Sequence, residues 1–166
     1  MANNNDQFIA FHDTIKMSQT KKETLRTNRE AIRAKIRNHF KTNHSDYIQP
    51  KFCWQGSFAM DTILNPIKDE EGLGAYDLDD GIYFISDDIA ERKDIEWYHE
   101  EIYKAVDGHT NQDPDDNDPC VTVNYADGHH VDLPAYFMLK DGTPQLSHRK
   151  TPWLESDPKG LREWFN

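Results

Sequence analysis

Apolar residues stand at Leu25, Ile32, Ile36 and Phe40, and their spacing lays them along one side of a helix. Ser18 or Thr20 is placed to cap its start. Ahead of it, Phe8, Ile9, Phe11 and Ile15 predict a shorter helix near Asp6 to Met17, with those side chains turned inward. The helical step recurs at Ile95, Tyr98, Ile102 and Val106, which predicts a third helix packed on a sheet. Elsewhere the period changes to two. Phe52-Cys53-Trp54 reads as a strand end, and Leu78, Ile82 and Phe84 share the parity of a core-facing strand side. Cys120 to Tyr125, an Ala126-Asp127-Gly128 turn, and His129 to Leu139 predict a hairpin. Asn65-Pro66 to Gly74 reads as a polar loop, Lys140 to Pro144 as a turn, and Ser156-Asp157-Pro158 opens a last helix with proline at its first position. Together these predict an α+β fold: a mixed or antiparallel sheet flanked by helices, one of them long and N-terminal.

With 166 residues the chain has the size of one domain with a real core, and no internal repeat divides it. Cys53 and Cys120 lack the spacing of a zinc knuckle and lie in apolar runs, so buried thiols in a reducing cytoplasm are expected. Met1 to Asp6 is unlike a secretory leader, and no apolar run has the length to cross a bilayer, so no membrane partner is expected. A net charge of −11 argues against nonspecific nucleic-acid binding, and no nucleic acid is required as a partner. The charge is nevertheless uneven. Nine of the 19 Lys and Arg residues fall between Lys16 and Lys41, and Lys22, Arg26, Arg29, Arg33 and Arg37 form a stripe beside the apolar one. It reads first as a solvated basic face, with helix 22–37 as a candidate contact for an activator or a second copy as the alternative.

The residues that carry chemistry lie on the polar parity of the strands. In Asp77-Leu78-Asp79-Asp80-Gly81 the first and third acids project together, and a neighbouring strand about 4.8 Å away would bring Asp132 of His130-Val131-Asp132-Leu133 to the same face. Three carboxylates held close must take up protons or bind a cation. Magnesium, a hard ion that prefers oxygen ligands, resolves the repulsion, and manganese is able to stand in. Gly56-Ser57 follows a strand end at a change of direction, where glycine admits a phosphate close to the main chain, Ser57 adds a hydroxyl and Gln55 an amide. Asp-x-Asp alone reads equally as a turn, and Gly-Ser alone as an ordinary helix cap. In this order and spacing the set points to two-metal nucleotidyl transfer, where two ions about 3.5 to 4 Å apart clamp the attacking and leaving oxygens at phosphorus. The candidates are Asp77, Asp79 and Asp132 for metal and catalysis, and Gln55, Gly56 and Ser57 for the nucleotide.

Gln55-Gly56-Ser57-Phe58-Ala59-Met60-Asp61-Thr62, Asp77 to Tyr83, His130 to Pro134 and the tail from Trp153 to Phe165 together resemble the bacterial cGAS/DncV-like nucleotidyltransferases, the CD-NTases. The resemblance implies a polymerase-β-like nucleotidyltransferase fold that uses NTPs and two magnesium ions to build a cyclic oligonucleotide second messenger in anti-phage defence. It matches Asp77, Asp79 and Asp132 to the family's metal triad and Gln55, Gly56 and Ser57 to the residues that hold the donor triphosphate; Asp80 is not a ligand. It also implies that residues 1–166 are the N-terminal catalytic lobe, without the helical second half that follows in intact members.

Two other patterns point elsewhere. Asp113 to Asp118 looks like the start of a calcium loop, but Asp118 stands where glycine is needed and Asn124 where a bidentate glutamate belongs, so a solvated acidic loop is expected. By alternation His130 shares the face of Asp132, which suggests an outer contact or, less well matched in ligand number, a zinc or manganese site. Rival readings of the whole are a non-catalytic nucleotide-binding or partner-docking module, and a transferase that tags a protein or a tRNA.

Overall fold

The computed structural model describes residues 4–66, 68–69 and 72–165, with the backbone alone at 68–69 and 72–73. Helix α1 (Asn5–Ile15) and the 25-residue α2 (Gln19–Asn43) lead into β1 (Lys51–Gln55) and the short α3 (Gly56–Ala59). A small hairpin of β2 (Lys68–Asp69) and β3 (Gly72–Leu73), inside the segment expected as a loop, precedes β4 (Tyr76–Ser86) and α4 (Ile95–Val106). Then come β5 (Asp115–Asp116), β6 (Val121–Asn124), β7 (His129–Leu133), β8 (Ala135–Leu139), β9 (Gln145–Leu146), β10 (Leu154–Glu155) and α5 (Pro158–Phe165).

Strand β4 organises the sheet. It pairs antiparallel with β1, and parallel with β7 and then β8 in one unbroken register, Tyr76 opposite His129 and Ile82 opposite Ala135. Pro134 interrupts only its own donor position: its carbonyl still accepts from Ile82 N at 2.9 Å, so the expected arm His129 to Leu139 runs on as two collinear strands. β6 pairs antiparallel with β7 across a turn that holds Gly128 at φ +87°, and β9 pairs antiparallel with β8. The sheet is mixed and the fold α+β.

One face of β4 is the core. Leu78, Ile82 and Phe84 are fully buried against Leu25, Ile32, Ile36 and Phe40 of α2 and Tyr98, Ile102 and Val106 of α4. Ser18 caps α2 by accepting from Lys21 N, so Ser18 rather than Thr20 marks its start. Asp80 shares this apolar parity and is also fully buried. Arg33 of α2 reaches it with both arms, Nε to Oδ2 at 2.6 Å and NH2 to Oδ1 at 2.5 Å. Burial pushes the Asp80 carboxyl up, and the Arg33 guanidinium pulls it back.

Two expectations are corrected here. The basic stripe of α2 is not simply solvated: Arg29 stacks over Trp54, Arg33 and Arg37 lie over Phe52, Arg26 over Phe58, and Lys22 pairs with Asp61. These cations are spent on β1 and α3, since their stems cover aromatic surface while their heads meet ring faces. The second correction concerns α1, where no residue is buried and Phe8, Ile9 and Phe11 are exposed instead of inward. Met17, just past the helix, makes the core contact in their place.

Asp80→Ala leaves Arg33 without its anion beneath the sheet and should cost about 3–5 kcal/mol in urea denaturation. Pairing Asp80→Leu with Arg33→Met should return most of that loss.

Candidate active site

The face of β4 opposite the helices carries Asp77 and Asp79. The parallel register sets Asp79 directly across from Asp132 and Asp77 across from His130. Oxygens of Asp77, Asp79 and Asp132 all lie within 4.8 Å of one another, so the three predicted acids meet. Each is only partly buried. The Asp79 carboxyl is pushed up to about 6 by burial and then by the charges of Asp77 and Asp132, while His130 pulls it down. Burial and neighbouring like charge both disfavour the ionised form. A set of carboxylate oxygens with no sulfur ligand suits a hard divalent cation.

Gly56 sits against this cluster. Its φ is +66°, and a Cβ placed there would lie 1.9 Å from Asp79 Oδ2. Glycine is therefore demanded twice, by the left-handed backbone and by the carboxylate that takes the space. Ser57 and Asp77 border one open cleft of about 500 Å3 together with Asn65 and Tyr76. Asp132 lines a second, of about 430 Å3, with Thr122 and His130. Asp79 lines a third, of about 290 Å3, with Gln55, Gly56 and Ser156. The carboxylates thus stand where three openings converge.

The Gln55 side chain departs from expectation. It is buried, its amide donates to the Tyr136 hydroxyl at 3.0 Å and its carbonyl accepts from Tyr83, so it locks the stacked Tyr83–Tyr136 pair. Its amide is not offered to a phosphate in this arrangement. Sequence reasoning missed Thr122, whose hydroxyl donates to Asp132 Oδ1 at 2.6 Å. The signal was present, because the Asp127-Gly128 turn puts Thr122 opposite Asp132 in the hairpin register. His130 Nε2 stands 3.8 Å from Asp132 Oδ2 and is not among the converging ligands. His129 faces the other way, buried between Tyr125 and Asn28. The Cys120 thiol is buried and pushed up to about 12 by burial and by Asp132, whereas Cys53 is half-buried. Asp116 and Asp118 of the acidic loop pair with Arg149 and Lys150, so that loop is not merely solvated.

Residues 50–136 match the family described as cyclic GMP-AMP synthase DncV-like, nucleotidyltransferase domain. The chain belongs to that family. Similar proteins include a cyclic GMP-AMP synthase of Escherichia albertii, 25% identical over 120 residues, a stretch that covers 69% of this chain and 26% of that protein. Among solved structures, the GTP-bound form of Vibrio cholerae DncV matches with a TM-score of 0.75 at 19% identity, covering 94% of this chain and 57% of that one. The same enzyme in complex with the linear intermediate 5′ pppA(3′,5′)pG matches with a TM-score of 0.73, also at 19% identity over 94% and 57% of the two chains. The fold is the polymerase-β-like nucleotidyltransferase fold that the DncV-like sequence pattern implies. The chain spans about a quarter of the length of the Escherichia relative and somewhat over half of the solved ones.

Because Asp79 holds its proton to higher pH folded than unfolded, its contribution to stability is greatest below about pH 4 and falls as pH rises through about 6. In metal-free buffer Asp79→Asn should therefore raise Tm by several degrees at pH 7.5, roughly 1–2 kcal/mol, and the gain should shrink towards pH 4. Gly56→Ala should displace the Asp79 carboxylate, and a magnesium titration followed by calorimetry should read affinity at least about tenfold weaker.

Proposed function

We propose that this chain is the catalytic lobe of a magnesium-dependent nucleotidyltransferase that joins NTPs into a cyclic oligonucleotide second messenger, in a cytoplasmic anti-phage role. The observation that carries the reading is the convergence of Asp77, Asp79 and Asp132 at the junction of three clefts, with Gly56 held against the cluster and Ser57 on the wall. No helix among the described residues is long and apolar enough to cross a membrane. The DncV structures with GTP and with a linear dinucleotide support NTPs as substrates of this fold.

Asp77, Asp79 and Asp132 would hold the cation; magnesium, or manganese in its place, neutralises triphosphate charge and lowers the pKa of a ribose hydroxyl. The cleft between Ser57 and Asp77 receives the donor triphosphate, to which Ser57 offers its hydroxyl, and Gly56 lines the adjoining cleft at Asp79. The cleft at His130 and Asp132 receives the acceptor ribose. There the hydroxyl oxygen bonds to the α-phosphorus, the bond to the bridging oxygen breaks and pyrophosphate leaves. The hydroxyl proton passes to Asp132 Oδ2, the oxygen that Thr122 leaves free. Thr122 holds the other oxygen and fixes the carboxylate's aim. Residues 1–166 act as the catalytic lobe in this reading.

Calorimetric titration of ATP or GTP into the chain should show affinity that falls more than about tenfold when magnesium is removed or when Asp77 and Asp79 are both changed to Asn. Metal-indifferent binding would instead indicate a docking module. Mass analysis of products from all four NTPs then reads base choice, linkage and ring size, and unchanged pyrophosphate release by the double variant would sink the assignment.

A further inference from the structure

A second cluster of ligating side chains lies on the helix side of the sheet, away from the three aspartates. His39, near the C-terminal end of α2, His44, which closes that helix, and Glu101 of α4 bring ligating atoms within 4.8 Å of one another. Both imidazoles aim Nε2 at the same carboxylate oxygen, Glu101 Oε2, at 2.7 Å from His39 and 2.6 Å from His44. Lys104 takes the other oxygen, Oε1, at 2.7 Å. Glu101 is therefore anchored at one oxygen and presents a single one to the two rings. Its carboxyl is held down to about 2, where the Lys104, His39 and His44 contacts outweigh burial.

We infer that His39, His44 and Glu101 form a binding site for a borderline divalent cation of the zinc class. Two imidazole nitrogens and one carboxylate oxygen are the donor set such ions take when three ligands come from protein, whereas magnesium does not favour nitrogen. Bonds of about 2.0–2.2 Å in a tetrahedral shell place ligand atoms about 3.3 Å apart. The present nitrogen-to-oxygen separations need to open by little more than half an ångström to admit the ion. Surroundings favour the exchange. The ring of His44 packs against Phe40 and Trp97, with centroids at 5.6 and 5.1 Å, which fixes its orientation. The Asn43 amide lies 3.2 Å from His39 Nδ1. Rotated about its last bond, that amide gives up its 3.1 Å hydrogen bond to the His39 carbonyl, accepts an Nδ1 proton through its oxygen and frees Nε2 for the metal. A cleft of about 350 Å3 bordered by His44, Asn43 and Trp97 opens beside one of the three ligands, His44. Bound there, the ion clips the end of α2 to α4, the two helices that cover the apolar face of β4.

The test uses the chelator-treated chain carrying Asp77→Asn and Asp79→Asn, with magnesium in excess, so that the aspartate cluster cannot report. Cobalt(II) should bind at one equivalent with the visible absorption of a low-coordinate site, and zinc should displace it. Zinc at about 100-fold above its Kd should raise Tm by about 5 °C or more. His39→Gln and His44→Gln should each weaken binding more than about 100-fold, and Asn43→Ala by about tenfold. Absence of both the cobalt spectrum and the zinc-induced Tm rise in the chain with both histidines intact would overturn the site, and that outcome needs no variant of the cluster to fold. Undiminished binding after loss of both histidines would overturn it equally.

Discussion

The parallel pairing of β4 with β7 holds like charges together, and the arrangement of the site follows from that constraint. Asp79 and Asp132 are register partners, and Asp77 stands one pleat away on the same face. Backbone hydrogen bonds keep these acids at sheet spacing whatever their mutual repulsion, so the charges cannot relax by moving apart. The relief left to them is a proton, which the raised Asp79 carboxyl favours, or a cation. Gly56 lets the Asp79 carboxylate stay in that crowded position, and Thr122 fixes Asp132 from the far strand.

The opposite face of β4 supplies the rigidity. Leu78, Ile82 and Phe84 anchor the strand beneath α2 and α4, so the acids project from a strand whose other side is locked in the core. Asp80 breaks the apolar run on that side, and Arg33 answers it with a two-armed ion pair between helix and sheet. Arg26, Arg29 and Arg37 of α2 cover the rings of β1 and α3, which ties the helix to the segment carrying Gly56 and Ser57. A helix that looks electrostatically conspicuous in one dimension is thus largely an internal strut.

Much of this was legible before any coordinates. The amphipathic periods of α2 and α4, the hairpin with its Asp127-Gly128 turn, and the alternation that separates Asp77 and Asp79 from Leu78 all follow from local geometry. The α1 segment misled because Phe8, Ile9 and Phe11 meet helical spacing yet stay exposed, and periodicity reports a face but not what covers it. At Gln55, proximity to Gly56-Ser57 suggested a phosphate contact, and local pattern gave no sign of Tyr136, far along the chain, which takes the amide.

What the amino-acid order determined by itself is the set of elements and the side of each strand on which the acids lie, since both depend on near neighbours and on fixed backbone periods. Which distant groups meet was decided only in three dimensions. The pairing of Asp79 with Asp132, of Asp80 with Arg33, and of Glu101 with His39 and His44 depends on strand register and helix docking, set by burial of the whole apolar face. Local pattern has no access to that energy, because it is a property of surfaces brought together from opposite ends of the chain.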